Sequence, residues 1–150
     1  RVYDSRQLGR RCAGAGHVTY LSGLTVFNTF SARYDQRVVC QWVRGKCFDT
    51  PAPMGPALCT RDEVPDPHNL NISLRLNGAV MQDSNTRHLI FDVNQLIAFL
   101  SQAITLEPGD VIATGTPSGV GMGRKPPVLR KPGDRMVMEV ARVVGGGRPV

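Results

Sequence analysis

The chain has 150 residues, of which 41% are hydrophobic and 20% charged, a balance that fits one soluble globular domain with a core of its own. Sixteen Gly and eleven Pro point to many turns, so to β structure rather than a helical bundle. The net charge of +6 suits an anionic small molecule better than nucleic acid, because the basic residues are scattered and no stacking platform or basic helix accompanies them.

Residues 1–16, with Arg1, Arg6, Arg10 and Arg11 among glycines and polar residues, have little to bury and read as a frayed or degenerate segment. His17 to Ser22 is too short to assign, and residues 17–150 are expected to form the domain proper. The organising stretch is Leu24 to Pro56. It opens with an apolar run, Leu24 to Phe27, that suits a buried strand. Polar groups then crowd among Phe30, Tyr34, Val38, Val39, Trp42 and Phe48. Long donors such as Arg33, Arg44 and Lys46 on an apolar scaffold describe a pocket for an anion, since Arg and Lys match carboxylate oxygens. A twisted sheet face with basic side chains lying along it is the plainer reading of the same pattern. Pro51, Pro53 and Pro56 interrupt regular structure, and Ala57 to Thr60 predicts a short strand.

Asp62, Glu63, Asp66 and His68 fall in a proline-bounded polar loop and read as solvated turn residues rather than metal ligands. Leu70 to Asn77 alternates, Asn77-Gly78 supplies a type I′ turn, and Ala79 to Gln82 returns as the partner strand. Asp92 with Gln95 predicts a capping box opening an amphipathic helix to about Thr105, whose stripe is Val93, Leu96, Ile97, Leu100, Ala103 and Ile104. Val111 to Thr114 predicts a strand running into the Gly-rich segment 115–123, whose backbone N–H groups can form an anion-binding nest. That segment has neither Walker nor GxGxxG spacing. Arg124 to Lys131 is a basic loop, Pro132-Gly133-Asp134 a turn, Arg135 to Val144 a strand, and residues 145–150 a flexible tail. Cys12, Cys40, Cys47 and Cys59 show no metal spacing and read as free thiols in a reducing, cytoplasmic compartment. No apolar run is long enough for a bilayer.

The segments FNTFSARYDQ, QWVRGKCFDTPAPMGP, LRLNGAVMQDSNTRHLIF and LEPGDVIATGTPSGVG resemble the catalytic domain of the fumarylacetoacetate hydrolase family, from about His17 onward. The resemblance implies a mainly β, α+β fold, a mixed β-roll or sandwich with one clear helix near 92–105. It also implies a homodimer, Mg²⁺ or Mn²⁺, and 2-oxo or β-diketo carboxylic acid substrates. The family's reactions are C–C hydrolysis, decarboxylation and isomerisation, many of them in the breakdown of aromatic compounds. Carried over by position, Lys46, Arg33 and Gln36 are the implied catalytic residues, and Thr116, Gly115 and Asn28 the implied substrate-binding ones. The chain departs from the family pattern at the metal ligands. Thr29 stands where the family has an Asp, Arg1 and Tyr3 stand near its two Glu positions, and Tyr34 replaces the acid after the arginine. The family's His–Glu acid–base pair belongs to a lid N-terminal to the matched region. These departures keep open a second expectation, an inactive homologue that serves in binding or assembly.

Overall fold

The computed structural model describes residues 20–38 and 40–149. The expected frayed segment 1–16, His17 and Cys12 lie outside them. A four-stranded antiparallel sheet in the order β4-β3-β5-β6 dominates, with β3 Asn71–Leu76, β4 Ala79–Asn85, β5 Arg135–Val140 and β6 Val143–Pro149. A small second sheet pairs β1 Gly23–Leu24 with β2 Cys59–Thr60. Among the described residues the helices are α1 Arg33–Val38, α2 Val93–Ala103 and the short 3-10 turns Thr86–His88 and Gly121–Gly123. This is the mainly β, α+β fold that the sequence predicts.

The β3–β4 hairpin forms as expected. Asn77 and Gly78 have φ of 50° and 85°, the pair of left-handed residues a type I′ turn requires. Its partner strand runs on to Asn85, beyond the expected end at Gln82. Between β3 and β4 the register slips by one: Leu74 faces Gln82 and Arg75 faces Val80, so Met81 is the extra residue of a bulge. The hairpin tip is tied to the turn before β5. Asn77 Nδ2 donates to Asp134 Oδ1 at 2.8 Å, Arg135 N donates to Asn77 Oδ1 at 2.8 Å, and Lys131 N donates to Asp134 Oδ2 at 2.8 Å.

Helix α2 opens on the expected capping box: Gln95 N donates to Asp92 Oδ1 and Asp92 N to Gln95 Oε1, both at 2.8 Å. Its buried line is narrower than the expected stripe. Val93, Ile97 and Ser101 are buried at successive i+4 steps, whereas Ile104 is 53% exposed. The helix stops at Ala103, so Ile104 leaves in extended conformation and is carried off the buried face. Val93 and Ile97 join Leu21, Leu24, Val26, Cys59, Val64, Leu70, Leu106 and Val143 in one core.

Three expectations are corrected. The run 135–144 is not one strand: Arg142 takes φ of 63°, the chain turns at Ala141-Arg142, and the expected tail returns as β6 on β5. Residues 112–114 form no strand, Val111 alone making a bridge. From Leu24 to Phe27 only Leu24 is in a strand, with a bridge at Phe27 to Met54. The prolines explain that irregularity. They cannot donate to a ladder but can accept, and Phe30 N donates to Pro51 O at 2.7 Å and Asn28 N to Pro53 O at 3.1 Å.

The acidic loop residues act as turn locks. Glu63 accepts from Thr60 N at 2.9 Å, Asp66 accepts from His68 N at 2.9 Å, and His68 Nε2 accepts from Val93 N at 3.3 Å at the start of α2.

Asp134 gives a pH test of the tip. Its hydrogen bond from Asn77, and then that from Lys131, hold the carboxyl below its ordinary value of 3.8. A depressed folded value means the stabilisation is complete above the unfolded pKa and is lost as pH falls through the folded one. In urea unfolding, the stability gap between the parent and Asp134→Ala should be constant from about pH 7 to pH 5 and shrink below about pH 4. A gap that grows on acidification would contradict the assignment.

Gly119 gives a steric test. It has φ of 98°, and an added Cβ would collide with the Met81 carbonyl oxygen. Gly119→Ala should lower stability by at least roughly 1–3 kcal/mol, from backbone strain alone. Gly78→Ala, with nothing within 4 Å of its Cβ, meets only the left-handed penalty. Thermal melts of the two variants check this order.

Candidate functional site

A cleft of about 920 Å³ opens between the stretch that follows β1, the face of β3 and β5, and the Gly-rich segment. The residues singled out from the sequence are drawn to it from distant places. Asn28, Thr29, Arg33 and Lys46 line it, and so do Gly115 and Thr116. Arg1 and Tyr3 lie outside the described residues.

Arg33 opens α1, a short helix the sequence reading did not foresee because its polar–apolar mixture shows neither period over six residues. Arg33 and Gln36 are three apart, so they share a helix face, and Arg33 Nη1 donates to Gln36 Oε1 at 3.1 Å. Gln36 is not on the cleft wall. It is 7% exposed and packed beneath Gly45, where a Cβ would strike its side chain, and its Nε2 has no partner among the described residues. It therefore orients Arg33 from behind. Lys46 ends the tight turn at 42–46, where Lys46 N and Cys47 N both donate to Val43 O. That turn throws Trp42 and Val43 outward, 68% and 67% exposed. Of the expected apolar scaffold, Phe30, Tyr34 and Phe48 line the cleft, and Val39 lies outside the described residues.

The Gly-rich segment is held by groups the sequence did not advertise. Gln82 Nε2 donates to Thr116 Oγ1 at 2.9 Å and to Pro117 O at 2.7 Å. Arg124 Nη2 donates to Met81 O at 2.7 Å, and Arg124 Nε to Gly119 O at 3.4 Å. Because Thr116 accepts from Gln82, its own hydroxyl proton is left as a donor. Gly115, at φ of 97°, allows the sharp bend there.

Two further charged groups reach the cleft, Arg130 and Glu139. Arg130 lies in a loop remote in sequence from Phe30, yet its guanidinium carbon sits 3.8 Å from the Phe30 ring centroid. Among the described residues, Arg33, Lys46 and Arg130 on the wall face a single carboxylate, that of Glu139. The cleft is therefore cationic and suited to an anionic ligand.

The described donors do not fit a divalent cation. Among the described residues no group of three His, Cys, Asp or Glu comes together to hold a metal. Thr29, exposed on the wall, offers a neutral oxygen where the family pattern has a carboxylate. Mg²⁺ in particular dehydrates reluctantly and depends on anionic oxygen ligands. Among the described residues no helix is long and apolar enough to cross a membrane, and Cys47 and Cys59 are free thiols.

The chain belongs to the fumarylacetoacetate hydrolase family: the model of the fumarylacetoacetate (FAA) hydrolase C-terminal domain matches residues 7–146. It is 49% identical over 133 residues to a mitochondrial oxaloacetate tautomerase of Rattus norvegicus, covering 88% of this chain and 42% of that protein. A fumarylacetoacetate hydrolase from Exiguobacterium antarcticum superposes with a TM-score of 0.93 at 34% identity, over 99% of this chain and 53% of that one. Maleylpyruvate hydrolase from Sphingobium sp. SYK-6, solved in complex with manganese(II) ion and pyruvate, superposes with a TM-score of 0.82 at 32% identity, over 99% of this chain and 50% of that one. The chain thus spans about two fifths of the length of the tautomerase it matches.

The role of Gln36 can be isolated. Gln36→Met keeps most of the volume under Gly45 and removes the acceptor that holds Arg33. Affinity of the cationic cleft for a small carboxylate probe, acetate or pyruvate, followed by calorimetry, should fall severalfold, on the order of one net hydrogen bond, while the variant remains folded. Unchanged affinity would mean Arg33 is placed without Gln36.

Proposed function

We propose that this chain forms the acid-binding and enolate-stabilising part of a site acting on a 2-oxo carboxylic acid, as a tautomerase, decarboxylase or C–C hydrolase. The observation that carries the reading is the convergence of Arg33, Lys46 and Thr116 on one cleft with an excess of positive charge. All three reactions place negative charge on the ketone oxygen of the substrate, whether a proton, carbon dioxide or an acyl group leaves the neighbouring carbon. A fixed ammonium beside that oxygen, in the positive field of the Arg33 guanidinium, favours the charged state over the neutral ketone, which is what lowers the barrier. The Thr116 proton and the bend at Gly115 suit the substrate's carboxylate. Among relatives, the oxaloacetate tautomerases give the most direct suggestion of a substrate.

A second reading, a homologue that binds the acid or assembles with a partner without turnover, is favoured by Thr29 and by the lack of a described metal-ligand cluster. Binding of Mg²⁺ or Mn²⁺ by this chain is accordingly proposed to be weak. A homodimer, a part in aromatic-compound breakdown and a reducing compartment, the cytoplasm or the mitochondrion of the tautomerase relatives, belong to the same proposal.

Enol–keto interconversion of oxaloacetate, followed by ultraviolet absorbance, separates the readings. On the first, the chain accelerates the interconversion and Lys46→Ala lowers the rate by about 10²–10³-fold, the usual effect of removing one stabilising donor. Binding of oxaloacetate by calorimetry with no acceleration would favour the second. Neither binding nor acceleration would contradict both.

A further inference from the structure

We propose that Arg130, together with Arg33, forms a second anion-recognition point in the cleft, so that Arg130 selects acids carrying two anionic groups over acids carrying one. The proposal rests on the 2-oxo acid reading above and concerns the second charge of the ligand.

The geometry starts from Phe30. Its ring lines the cleft and the Arg130 guanidinium lies over it at 3.8 Å. Stacking pins the guanidinium plane and leaves its N–H edges for acceptors beside the ring. One of them, Nη1, meets only the Met136 sulfur among the described residues, at 3.5 Å, a weak acceptor. Arg33, three residues on from Phe30, spends one Nη1 donor on Gln36 and keeps the rest. Among the described residues the one ion pair is between His68 and Asp66, so neither guanidinium has a carboxylate partner.

Two guanidinium groups on one wall repel each other. Partial burial, and then the charge of Arg33, hold Arg130 below the ordinary guanidinium value. Glu139 lines the same cleft but, among the described residues, no carboxylate is paired with either guanidinium, and a bound carboxylate would relieve the repulsion. It can accept two parallel N–H bonds from a guanidinium, a match an ammonium cannot make. The second point is built from α1 and the 124–131 loop. The first is built from the turn that ends at Lys46 and from Gly115-Thr116. A ligand with an acid group at each end would engage both. If Arg130 merely covered Phe30, its removal would affect monoacids and diacids alike.

The test is a calorimetric comparison of 2-oxoglutarate with 2-oxopentanoate, which share a five-carbon 2-oxo acid chain and differ in the distal carboxylate. The proteins are the parent, Arg130→Leu, Arg130→Lys and Lys46→Ala. Arg130→Leu should weaken 2-oxoglutarate by about tenfold or more, the scale of a charged hydrogen bond, and leave 2-oxopentanoate within about twofold. Arg130→Lys, which keeps the charge and loses the fork, should show a smaller selective loss, and it decides the matter alone if the leucine variant does not fold. Equal losses for the two acids, or none, in these variants while Lys46→Ala weakens both would overturn the role of Arg130 and leave the 2-oxo acid reading in place. Binding of both acids unaffected by Lys46→Ala would overturn that reading, and this proposal with it.

Discussion

The cleft depends on one carbonyl. Met81, the extra residue of the β3–β4 bulge, sits on the edge strand of the sheet, and its oxygen receives the Arg124 guanidinium while Gly119 packs against it. A regular edge strand would offer its carbonyls to solvent or to another strand; the bulge instead presents this one to the Gly-rich segment. The next residue, Gln82, holds the same segment through Thr116 and Pro117. A glycine is needed at 119 because the approach leaves no space for a Cβ and the backbone there is left-handed. Without this docking, Gly115 and Thr116 would have no fixed relation to Arg33 and Lys46.

The opposite wall is held by a comparable device. The chain from Val26 to Ala32 lies against the stretch 45–55 through bonds accepted by Gly45, Pro51 and Pro53 and one donated by Gly55. Gly45 lets that stretch close on Gln36, whose buried oxygen then fixes Arg33. Lys46 and Arg130 are thus carried on irregular backbone and Arg33 at the start of α1, and the protein takes up few of their donors: one Nη1 bond from Arg33 to Gln36 and one from Arg130 to the Met136 sulfur. That arrangement leaves donors for a ligand, and it keeps like charges together in a way that stabilises the empty protein little. Buried or crowded charges of one sign are normally retained where a ligand completes them.

Patterns that act over short distances were legible in the sequence. The Asn77-Gly78 turn and the Asp92–Gln95 box follow from residues within four positions of one another, and both formed. The resemblance carried by RGKCFDT and PGDVIATGTPSGVG placed Lys46 and Thr116 in one cleft. What was not legible depended on long-range contacts. α1 is too short for a period to show. The segment from Gly145 looked like a tail because three glycines carry no hydrophobic pattern, yet the ladder with β5 takes it up as far as Pro149. Gln36 shares a motif with Arg33, but only packing under Gly45 puts it behind the wall. Arg130 was one cation in a basic loop until the fold brought it over Phe30.

The central claim is that segments remote in sequence make one anion site. An NMR titration of the isotopically labelled chain with oxalate, an unreactive relative of the 2-oxo acids, reads this residue by residue. The account predicts that amide signals of Phe30, Lys46, Gly115 and Thr116 shift together and saturate along one isotherm. Shifts confined to one wall, or separate isotherms for the 30–46 and 115–116 groups, would contradict it.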